Sequence, residues 1–348
     1  MGAPTIQGVA ALAGVSTATV SRALAGKSSV SEATRARVRA AATELGYVAS
    51  ATASSLASGR TRNVGVVLPY LGSWFYAQVL QGCHRALADQ GYDLTLYHLE
   101  NHAPDNKRAA GRRQRLFEEF LHRKRIDGLI AVSLELTPAE LEGLHRIGRP
   151  LVGVGGPLEG VTTLSLDDRA VARLATEHLL SLGHRTIAHI GGAERFDLDF
   201  GLPGRRREGY EQALVAAGVR PDPALVRVGD FTIQGGYEAA LQLLGAPRSR
   251  PTAIFAASDE MAIGTILAAR DLGLRVPEDL SVVGIDGHEL GDFFGLTTVD
   301  QFPQKQGRLA AERLLAELGQ DGASHVAVPL PYELRVRRST AVAPGGSA

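Results

Sequence analysis

Residues 5–24 have the sequence TIQGVAALAGVSTATVSRAL, and this stretch decides the architecture of the N-terminal region. Apolar residues recur at helical spacing up to Ala13, and Thr5 directly before them can act as the N-cap of a helix. Gly14 can adopt the left-handed conformation that ends a helix. The stretch therefore predicts a short helix, a tight turn and a second helix over Thr17–Leu24.

A third helix is predicted after a short loop, with Ser31 as its N-cap and Gly46 at its end. Three short helices with a tight glycine turn between the first two form a helix-turn-helix unit. The alternative is an ordinary three-helix cap on the rest of the chain. The polar outer face of the second helix favours the helix-turn-helix unit.

The charge differs between the two ends of the chain. The 348 residues include 37 Lys or Arg and 37 Asp or Glu, so the formal net charge is zero. Residues 1–62 contain seven of those basic residues and two of the acidic ones, which leaves +5 on this segment and −5 on the remainder. A basic segment on an acidic body suggests a polyanionic partner for the basic segment alone.

From residue 64 onward, short apolar runs alternate with helical patterns of a dozen or more residues. Continuous apolar strands that alternate with helices predict parallel sheets covered on both faces. About 280 residues of this pattern exceed one core, so we expect two doubly wound lobes. The clearest predicted strands are Val64–Pro69, Ile126–Ser133, Leu151–Gly155, Ile187–Gly191, Ala253–Ser258 and Ser281–Asp286.

The composition and the motifs disfavour several classes of protein. The single cysteine, Cys83, excludes a disulfide framework and Cys-rich zinc sites, and we expect no metal and no cofactor. The N-terminus lacks a signal peptide and no apolar run approaches about 18 residues, so we expect a cytoplasmic protein without a membrane partner. Complete phosphate-loop, dinucleotide-binding, nucleophile-elbow and His-Glu-x-x-His motifs are missing, so we expect no enzymatic activity.

Two groups of motifs resemble the lactose/galactose-repressor (LacI/GalR) family of transcription regulators. The first group is residues 5–24 with Val30–Arg35 and Glu44–Tyr47, and the second is Ser258–Gly264 with Leu274–Asp286. The resemblance covers essentially the whole chain. It implies an all-α helix-turn-helix head, followed by an α/β core similar to periplasmic sugar-binding proteins. In that core the chain passes three times between two doubly wound parallel-sheet lobes.

The resemblance also implies the division of the chain. Residues 1–48 would form the DNA-binding head and 49–61 a linker helix, although family members usually have Pro-Asn where Ala49 and Ser50 stand. Residues 62–340 would form the core for effector binding and dimerisation, and 341–348 a disordered tail. The N-lobe would comprise about 62–165 and 298–326, and the C-lobe about 166–297 and 327–340.

The residues expected to contact DNA lie on the second helix, at helix starts and in the linker. Arg22 is the one long cationic side chain on the outer face of the second helix, and it suits a bidentate contact with guanine. Thr17 and Ala18 are short and offer methyl contacts to thymine. Leu56 matches the leucine that the family inserts into the minor groove, with packing between paired linker helices as the alternative. The hydroxyls expected near phosphates are those of Thr5, Ser16, Thr19, Ser21, Ser31 and Thr34.

An effector cleft is expected beyond the carboxyl ends of the strands, where ligands of open α/β sheets bind. The short segment Gly72–Tyr76 follows the first strand and holds the single tryptophan, and aromatic faces suit a sugar-like effector. We therefore expect Trp74 and Phe75 in the cleft. For Phe75 and Tyr76, a place in the core at the start of a helix is the alternative. At the strand ends themselves stand Tyr70, Ser133, Ser258 and Asp286.

The resemblance adds Arg206, Phe231 and Gln301 to the effector cleft, and it also covers Ser258 and Asp286. We expect Arg206 and Asp286 above all, because a cation and a carboxylate that converge from opposite lobes can hold the hydroxyl groups of a ligand. Gly155 and Gly156 stand where the family usually has a larger polar pair, so we expect a wider pocket at that point.

These observations predict a homodimeric transcription regulator, with repression the favoured mode, that binds a palindromic DNA operator. A small effector, a sugar or sugar derivative, would bind between the lobes and change DNA affinity through lobe closure. One alternative is a corepressor-dependent regulator of non-sugar metabolism. Another is a sugar-binding module without a role on DNA, which would need a signal peptide and no helix-turn-helix. The C-terminal sequence lacks a leucine heptad, which favours a dimer over a tetramer.

Overall fold

A computed structural model describes residues 4–24, 29–47, 60–98, 126–193, 200–246, 250–319 and 326–344, together with residues 111, 113 and 115. The chain divides into two compact units. The first unit, here called the head unit, comprises residues 1–63 and 125–127. The second, the core unit, comprises residues 64–124 and 128–348.

The head unit contains three helices, α1 (Ile6–Ala13), α2 (Thr17–Leu24) and α3 (Glu32–Glu44). The Thr5 hydroxyl accepts a hydrogen bond from the backbone N–H of Gly8, and Gly14 ends α1 with φ at 65°. This left-handed conformation favours glycine, and it turns the chain sharply into α2. The helix-turn-helix predicted from the sequence is confirmed.

The core of the head unit forms where the three helices meet. Val9, Val20 and Val38 contribute one fully buried side chain from each helix. The helical spacing of α3 also predicts an inward-facing Leu45, and this prediction is wrong. Leu45 follows the last helical residue and is 38% exposed, while Ala42 is buried in the helix itself.

The core unit contains two six-stranded sheets, one in each lobe. The N-lobe sheet has the strand order β11-β5-β4-β3-β1-β2, and its pairings from β11 to β1 are parallel. Its strands are β1 (Asn63–Leu68), β2 (Asp93–His98), β3 (Gly128–Val132), β4 (Leu151–Val154), β5 (Thr162–Ser165) and β11 (Ala327–Pro329).

The C-lobe sheet has the strand order β12-β10-β9-β8-β6-β7. Its pairings are parallel except at the edge strand β12, which runs antiparallel to β10. Its strands are β6 (Ile187–Gly191), β7 (Val226–Val228), β8 (Ala253–Ala256), β9 (Ser281–Asp286), β10 (Thr297–Asp300) and β12 (Glu333–Arg335). The two predicted parallel-sheet lobes are therefore confirmed.

Helices cover the two sheets. Those of the core unit are α4 (Trp74–Asp89), α5 (Pro138–Ile147), α6 (Asp168–Ser181), α7 (Leu202–Ala216), α8 (Ile233–Leu244), α9 (Asp259–Asp271), α10 (Gly291–Phe294) and α11 (Pro303–Leu318). A short 3-10 helix spans Pro223–Leu225. Among the described residues, no helix is long and apolar enough to cross a membrane.

The close packing of α4 against α11 in the N-lobe depends on glycine. A Cβ on Gly82 would lie 2.0 Å from the carbonyl oxygen of Gln304, and one on Gly307 would lie 1.9 Å from that of Val79. Cys83 is fully buried in this contact and its Sγ donates to the Gly307 carbonyl oxygen at 3.3 Å. Burial raises the pKa of the Cys83 thiol to about 12, so this cysteine is a small core residue and no nucleophile.

The chain crosses between the lobes three times, after β5, β10 and β11. The second and third crossings come later than the sequence predicts. Strand β10 still pairs with β9 of the C-lobe, so the N-lobe return begins after Asp300 and not at about 298. Strand β11 pairs with β5 of the N-lobe, so the C-lobe return begins after Pro329 and not at 327. Strand β10 is buried but has the polar sequence TTVD, and β11 is short and mostly exposed, so neither shows the continuous apolar pattern of a central strand.

The predicted disordered tail is wrong for its first residues. Ala341 accepts a hydrogen bond from His184 and donates one to Ser281, and the N–H of Ala343 donates to the Leu182 carbonyl oxygen. These backbone bonds hold the chain against the C-lobe as far as residue 343. Most of the predicted linker helix, at 49–59, lies outside the described residues.

A buried histidine lies between two aromatic rings in the C-lobe. The His189 ring on β6 is stacked at 5.1 Å on Tyr210 and at 4.9 Å on Phe255, and its Nδ1 donates to the Phe255 carbonyl oxygen at 3.1 Å. Burial lowers the pKa of His189 to about 4. The folded protein therefore holds this imidazole neutral.

We predict that replacement of His189 by glutamine reduces the acid sensitivity of the fold. The folded pKa lies below the unfolded value of about 6.5, so the stabilising contribution is present above that pH and is lost as the pH falls toward about 4, by about 3 kcal/mol in total. Glutamine keeps a donor for the Phe255 carbonyl and does not titrate. Thermal melting of both proteins between about pH 7.5 and about pH 4.5 tests this. Equal losses of stability in the two proteins would contradict it.

Candidate functional site

The outer face of α2 is exposed and carries one cation. Thr17, Ala18 and Arg22 are exposed, whereas Thr19 and Ser21 are half-buried. The Arg22 Nε donates to the Ala18 carbonyl oxygen at 3.2 Å, one helical turn earlier. This bond holds the side chain along the helix surface, with its guanidinium group on the solvent side.

The predicted phosphate-binding hydroxyls lie at helix starts. Thr5, Ser16 and Ser31 occupy N-cap positions, and each hydroxyl oxygen accepts a hydrogen bond from a backbone N–H three residues later. Ser31 also donates to the Thr34 hydroxyl at 3.0 Å. These hydroxyls order the exposed helix N-termini, where backbone N–H groups favour an anion. Leu56 lies outside the described residues, so its role stays a prediction.

The core unit contains a cavity of about 610 Å³ between the carboxyl ends of the two sheets. Of the nine residues predicted for the effector cleft, eight line this cavity. They are Tyr70, Phe75, Ser133, Arg206, Phe231, Ser258, Asp286 and Gln301.

Arg206 enters the cavity from α7 as half of a buried ion pair. Its Nε donates to the Asp168 carboxylate at 2.8 Å, and one Nη donates to the Ala257 carbonyl oxygen at 2.5 Å. Arg206 is 3% exposed and Asp168 is 4% exposed. The guanidinium group is therefore fixed in place with part of its donor capacity already in use.

Asp286 lines the cavity from the end of β9 in the C-lobe sheet. Arg206 on α7 belongs to the same lobe, so the prediction that these two residues approach a ligand from opposite lobes is wrong. The Asp286 Oδ1 accepts a hydrogen bond from the Gln301 Nε2 at 2.5 Å, and its other oxygen accepts the backbone N–H of Asp259 at 3.4 Å. Burial, and then the charge of Asp259, raise the pKa of Asp286 well above its usual range. Burial also raises the pKa of Asp259, although His288 and Thr298 donate to its carboxylate. The pair holds a proton far more readily than exposed aspartates do.

Four residues that line the cavity have unusual backbone conformations. Ser133, Asp230, Phe231 and Asp286 all have positive φ, between 46° and 134°. Such conformations cost non-glycine residues about 1–3 kcal/mol each and concentrate at functional sites. The strained conformations direct these side chains toward the cavity, and the folded state tolerates their cost.

Aromatic rings form one wall of the cavity. Phe75 and Tyr76 contact each other edge to face at 5.2 Å, and Tyr70 lies 5.9 Å from Tyr76. Phe75 and Tyr76 also pack against the N-lobe core. The two alternatives predicted for them, core residue and cavity wall, therefore both hold.

The prediction that Trp74 lines the cavity is wrong. Its indole ring is stacked on His288 of the C-lobe at 4.3 Å, with an angle of 21° between the planes. The first turn of α4 directs successive side chains about 100° apart, so Trp74 and Phe75 face different neighbours. Trp74 thus connects the lobes beside the cavity and does not face a ligand.

Glu260 connects the same two lobes. Its carboxylate lies on the first turn of α9 in the C-lobe and accepts hydrogen bonds from the Ser73 hydroxyl at 3.1 Å and the Trp74 backbone N–H at 3.3 Å. Ser73 is the N-cap of α4, but its own hydroxyl makes no capping bond. A carboxylate from the other lobe therefore caps α4, and burial raises its pKa.

The prediction of a wider pocket at Gly155 and Gly156 is wrong at Gly156. Gly155 lines the cavity, but a Cβ on Gly156 would lie 2.2 Å from the ring of Phe200. Phe200 belongs to the loop before α7 in the C-lobe, and its ring occupies the space that the missing side chain leaves. This is a third contact between the lobes.

Sequence reasoning missed several residues of the site, chiefly Asp168, Asp230, Glu260 and Gln306. The strand-end rule identifies the residue directly after a strand, whereas these acids lie on first helical turns or in loops. For Glu260 a signal was present, because it stands two residues after Ser258 in one of the family motifs. Like Glu260, Asp168 lies on the first turn of a helix, at the start of α6.

A helix-turn-helix head joined to a two-lobed core with a ligand-sized cavity is the architecture of a class of DNA-binding transcription regulators. Comparisons with known proteins agree with this class. The description "Bacterial regulatory proteins, lacI family" matches residues 5–50, and "Periplasmic binding protein-like domain" matches residues 176–340.

Individual proteins extend the match to nearly the whole length. The transcriptional regulator CelR of Thermobifida fusca is 35% identical over 97% of this chain and 98% of its own. A solved CelR–cellobiose complex is 33% identical, with a TM-score of 0.68 over 97% and 99% of the two chains. A Lac repressor dimer bound to operator and an anti-inducer is 27% identical, with a TM-score of 0.81 over 98% and 100%. The chain belongs to the lacI family and is a DNA-binding transcriptional regulator.

We predict that Glu260→Ala loosens the contact between the lobes. The variant removes two charge-assisted hydrogen bonds and should lower the free energy of unfolding by about 1–3 kcal/mol. Because the chain has one tryptophan, the emission of Trp74 reports this contact directly and should shift to the red. Glu260→Gln keeps an acceptor oxygen and is the matched control. An unchanged Trp74 emission in Glu260→Ala would show that this contact does not hold the lobes.

Proposed function

We propose that the protein is a repressor whose affinity for DNA is set by a small saccharide bound between the two lobes. The observation that carries this proposal is the cavity of about 610 Å³, which both lobes line and which three inter-lobe contacts border. A ligand that contacts both lobes binds better to one lobe arrangement than to another. Such differential binding is what shifts a conformational equilibrium.

The chemistry of the cavity suits a saccharide. Aromatic faces such as Phe75 pack against the C–H face of a sugar ring, while carboxylates and amides such as Asp286 and Gln301 bind its hydroxyls. The related CelR binds cellobiose in its solved complex. We therefore propose a sugar of up to disaccharide size, with cellobiose as the first compound to test.

We propose that the protein acts as a homodimer, as the similar Lac repressor does on its operator. A two-fold dimer presents two heads to a palindromic operator. On the C-lobe, Phe293 is 83% exposed and Leu290 in the same short segment is 38% exposed, so two neighbouring apolar side chains are available for another chain to cover. A second copy of this chain is the partner that the similar dimer favours. As a regulator of chromosomal DNA it would act in the cytoplasm, and the cavity would bind its ligand without converting it.

On DNA, we propose that α2 enters the major groove with Arg22 toward a guanine. The exposure of Arg22, and its position one turn after Ala18, support this orientation. The capping hydroxyls of Thr5 and Ser16 would donate to phosphate oxygens while their oxygens continue to accept backbone N–H groups. The Ser31 hydroxyl would turn its proton from Thr34 to a phosphate oxygen and keep its capping bond.

We predict that Arg22→Ala relaxes the sequence preference of the protein at one base pair per half-site. Loss of a bidentate guanine contact should reduce discrimination at that position by about 1–3 kcal/mol, with a smaller effect on random DNA. Selection of bound sequences from a random DNA pool, for the wild type and the variant, measures the change.

The matched control is Arg39→Ala, which removes an equally exposed charge from α3, where Arg39 lies 3.9 Å from Glu32. It should weaken binding to all sequences alike and flatten the salt dependence. If Arg22→Ala retains the preference of the wild type at every position, the proposed orientation of α2 is incorrect.

We predict that a saccharide changes operator affinity and that Asp286→Asn weakens this response. Gel-shift titrations with cellobiose and a panel of neutral sugars should identify at least one active compound, and the sign of its effect separates an inducer from a corepressor. For Asp286→Asn, the concentration needed should rise by about tenfold, because an amide donor replaces one buried oxygen that could accept a bond from a ligand hydroxyl. Asp292→Asn, which changes an exposed carboxylate of α10 outside the cavity, should respond as the wild type does. If no compound alters operator affinity, the proposed allosteric role fails.

A further inference from the structure

The charged side chains of the cavity are mostly acidic. Among the described residues that line it, Arg206 is the only Lys or Arg, whereas four residues carry carboxyl groups. These acids are Asp168, Asp230, Glu260 and Asp286. His98 also lines the cavity but is exposed to solvent.

The single cation is already neutralised. Arg206 and Asp168 form a buried ion pair with an Nε–Oδ1 distance of 2.8 Å. A phosphate or carboxylate on a ligand would have to compete with Asp168 for the guanidinium group, and that would leave a buried aspartate without its partner. Loss of one member of a buried pair is strongly destabilising.

Helix N-termini, the other usual source of positive potential, are occupied by carboxylates at this site. Glu260 caps α4 from across the cleft, while Asp259 and Glu260 stand in the first turn of α9. Asp167 caps α6, and Asp168 stands in its first turn. Three of the helices that begin beside the cavity therefore direct their positive ends at the protein's own acids.

The remaining acid oxygens suit hydrogen-bond donors. Asp286 is buried and Glu260 is half-buried, and both accept few bonds relative to the lone pairs that a carboxylate offers. Burial raises the pKa of each, and the charges of Asp259 and Glu260 raise the pKa of Asp286 further, which means that additional negative charge beside Asp286 is unfavourable. Hydroxyl or ammonium groups of a ligand can donate hydrogen bonds to the acceptor positions of Asp286 and Glu260 that the protein leaves unused.

We propose that the effector is a hydroxylated ligand with neutral or positive charge, and that the cavity rejects phosphorylated and carboxylated sugars. This inference rests on the proposed function, because it concerns the ligand class of the same cavity. The Asp168–Arg206 pair and the carboxylates at the helix starts restrict the charge that a ligand of this cavity can carry.

The first test compares pyranose ligands that share one ring and differ in one charged substituent. Calorimetric titration would use glucose, glucosamine, glucose 6-phosphate and glucuronate, together with cellobiose and its phosphate ester. Each anionic member should bind at least about tenfold more weakly than its neutral parent, since one repulsive contact in a partly buried site has that effect. An anion that binds as well as its neutral parent would overturn the charge proposal while leaving a saccharide effector in place. If no compound of any charge binds, the proposed function itself is overturned.

The second test changes the charge of the cavity and uses inorganic phosphate as the probe. Asp168→Asn frees the Arg206 guanidinium and should produce phosphate binding that the wild type lacks. Asp167→Asn is the matched control, since it makes the same charge change one residue earlier, outside the cavity, and asparagine also caps helices. Circular dichroism checks that both variants fold.

Glu260→Gln supplies a second variant that leaves the ion pair intact, and it should weaken the rejection of anionic sugars by about threefold or more. Equal phosphate binding by the wild type and by Asp168→Asn would overturn the role assigned to the Asp168–Arg206 pair. Unchanged selectivity in Glu260→Gln would likewise contradict the role assigned to Glu260.

Discussion

The parallel strands of the two sheets limit where this protein can place polar side chains. The backbone of a buried parallel strand is fully paired within the sheet, and its side chains face helices on both sides, so polar groups collect where the strands end. Ser133 follows β3, Ser258 follows β8 and Asp286 ends β9, and all three line one cavity. Three crossings of the chain bring the ends of both sheets to the same place. The cavity, its strained residues and the contacts between the lobes all follow from this arrangement.

Gathering several acidic side chains around one cavity is electrostatically unfavourable. Carboxyl groups at buried strand ends and helix starts resist ionisation, because burial raises the pKa values of Asp259 and Asp286, and the charge of Asp259 raises that of Asp286 further. The fold compensates in several ways. Arg206 pairs with Asp168, Gln301 donates to Asp286, and the N-terminus of α4 donates to Glu260. Because the last of these contacts joins the two lobes, the charge distribution of the cavity is coupled to lobe arrangement, which is the physical basis on which a ligand acts at a distance.

The head unit is stabilised in a different way from the core unit. Its helices are short, and they are held by caps and by small buried residues such as Ala10 and Ala23 more than by an extended core. The capping hydroxyls of Thr5, Ser16 and Ser31 order the exposed helix starts before any partner binds. Preformed helix starts reduce the entropy that ordering would cost on DNA.

Local patterns in the sequence determined the elements whose causes are local. Helical spacing and capping residues predicted α1, α2 and α3, and apolar runs predicted six of the central strands, because both signals arise within a few residues. The strand-end rule likewise located Ser133, Ser258 and Asp286. Only the tertiary structure decided which groups meet across the cleft, namely Glu260 with the start of α4, Trp74 with His288, and Phe200 with Gly156. The short edge strands β11 and β12 also depended on it. These partners are distant in sequence, and the energy that pairs them comes from burial and charge in the folded state, to which no local pattern responds.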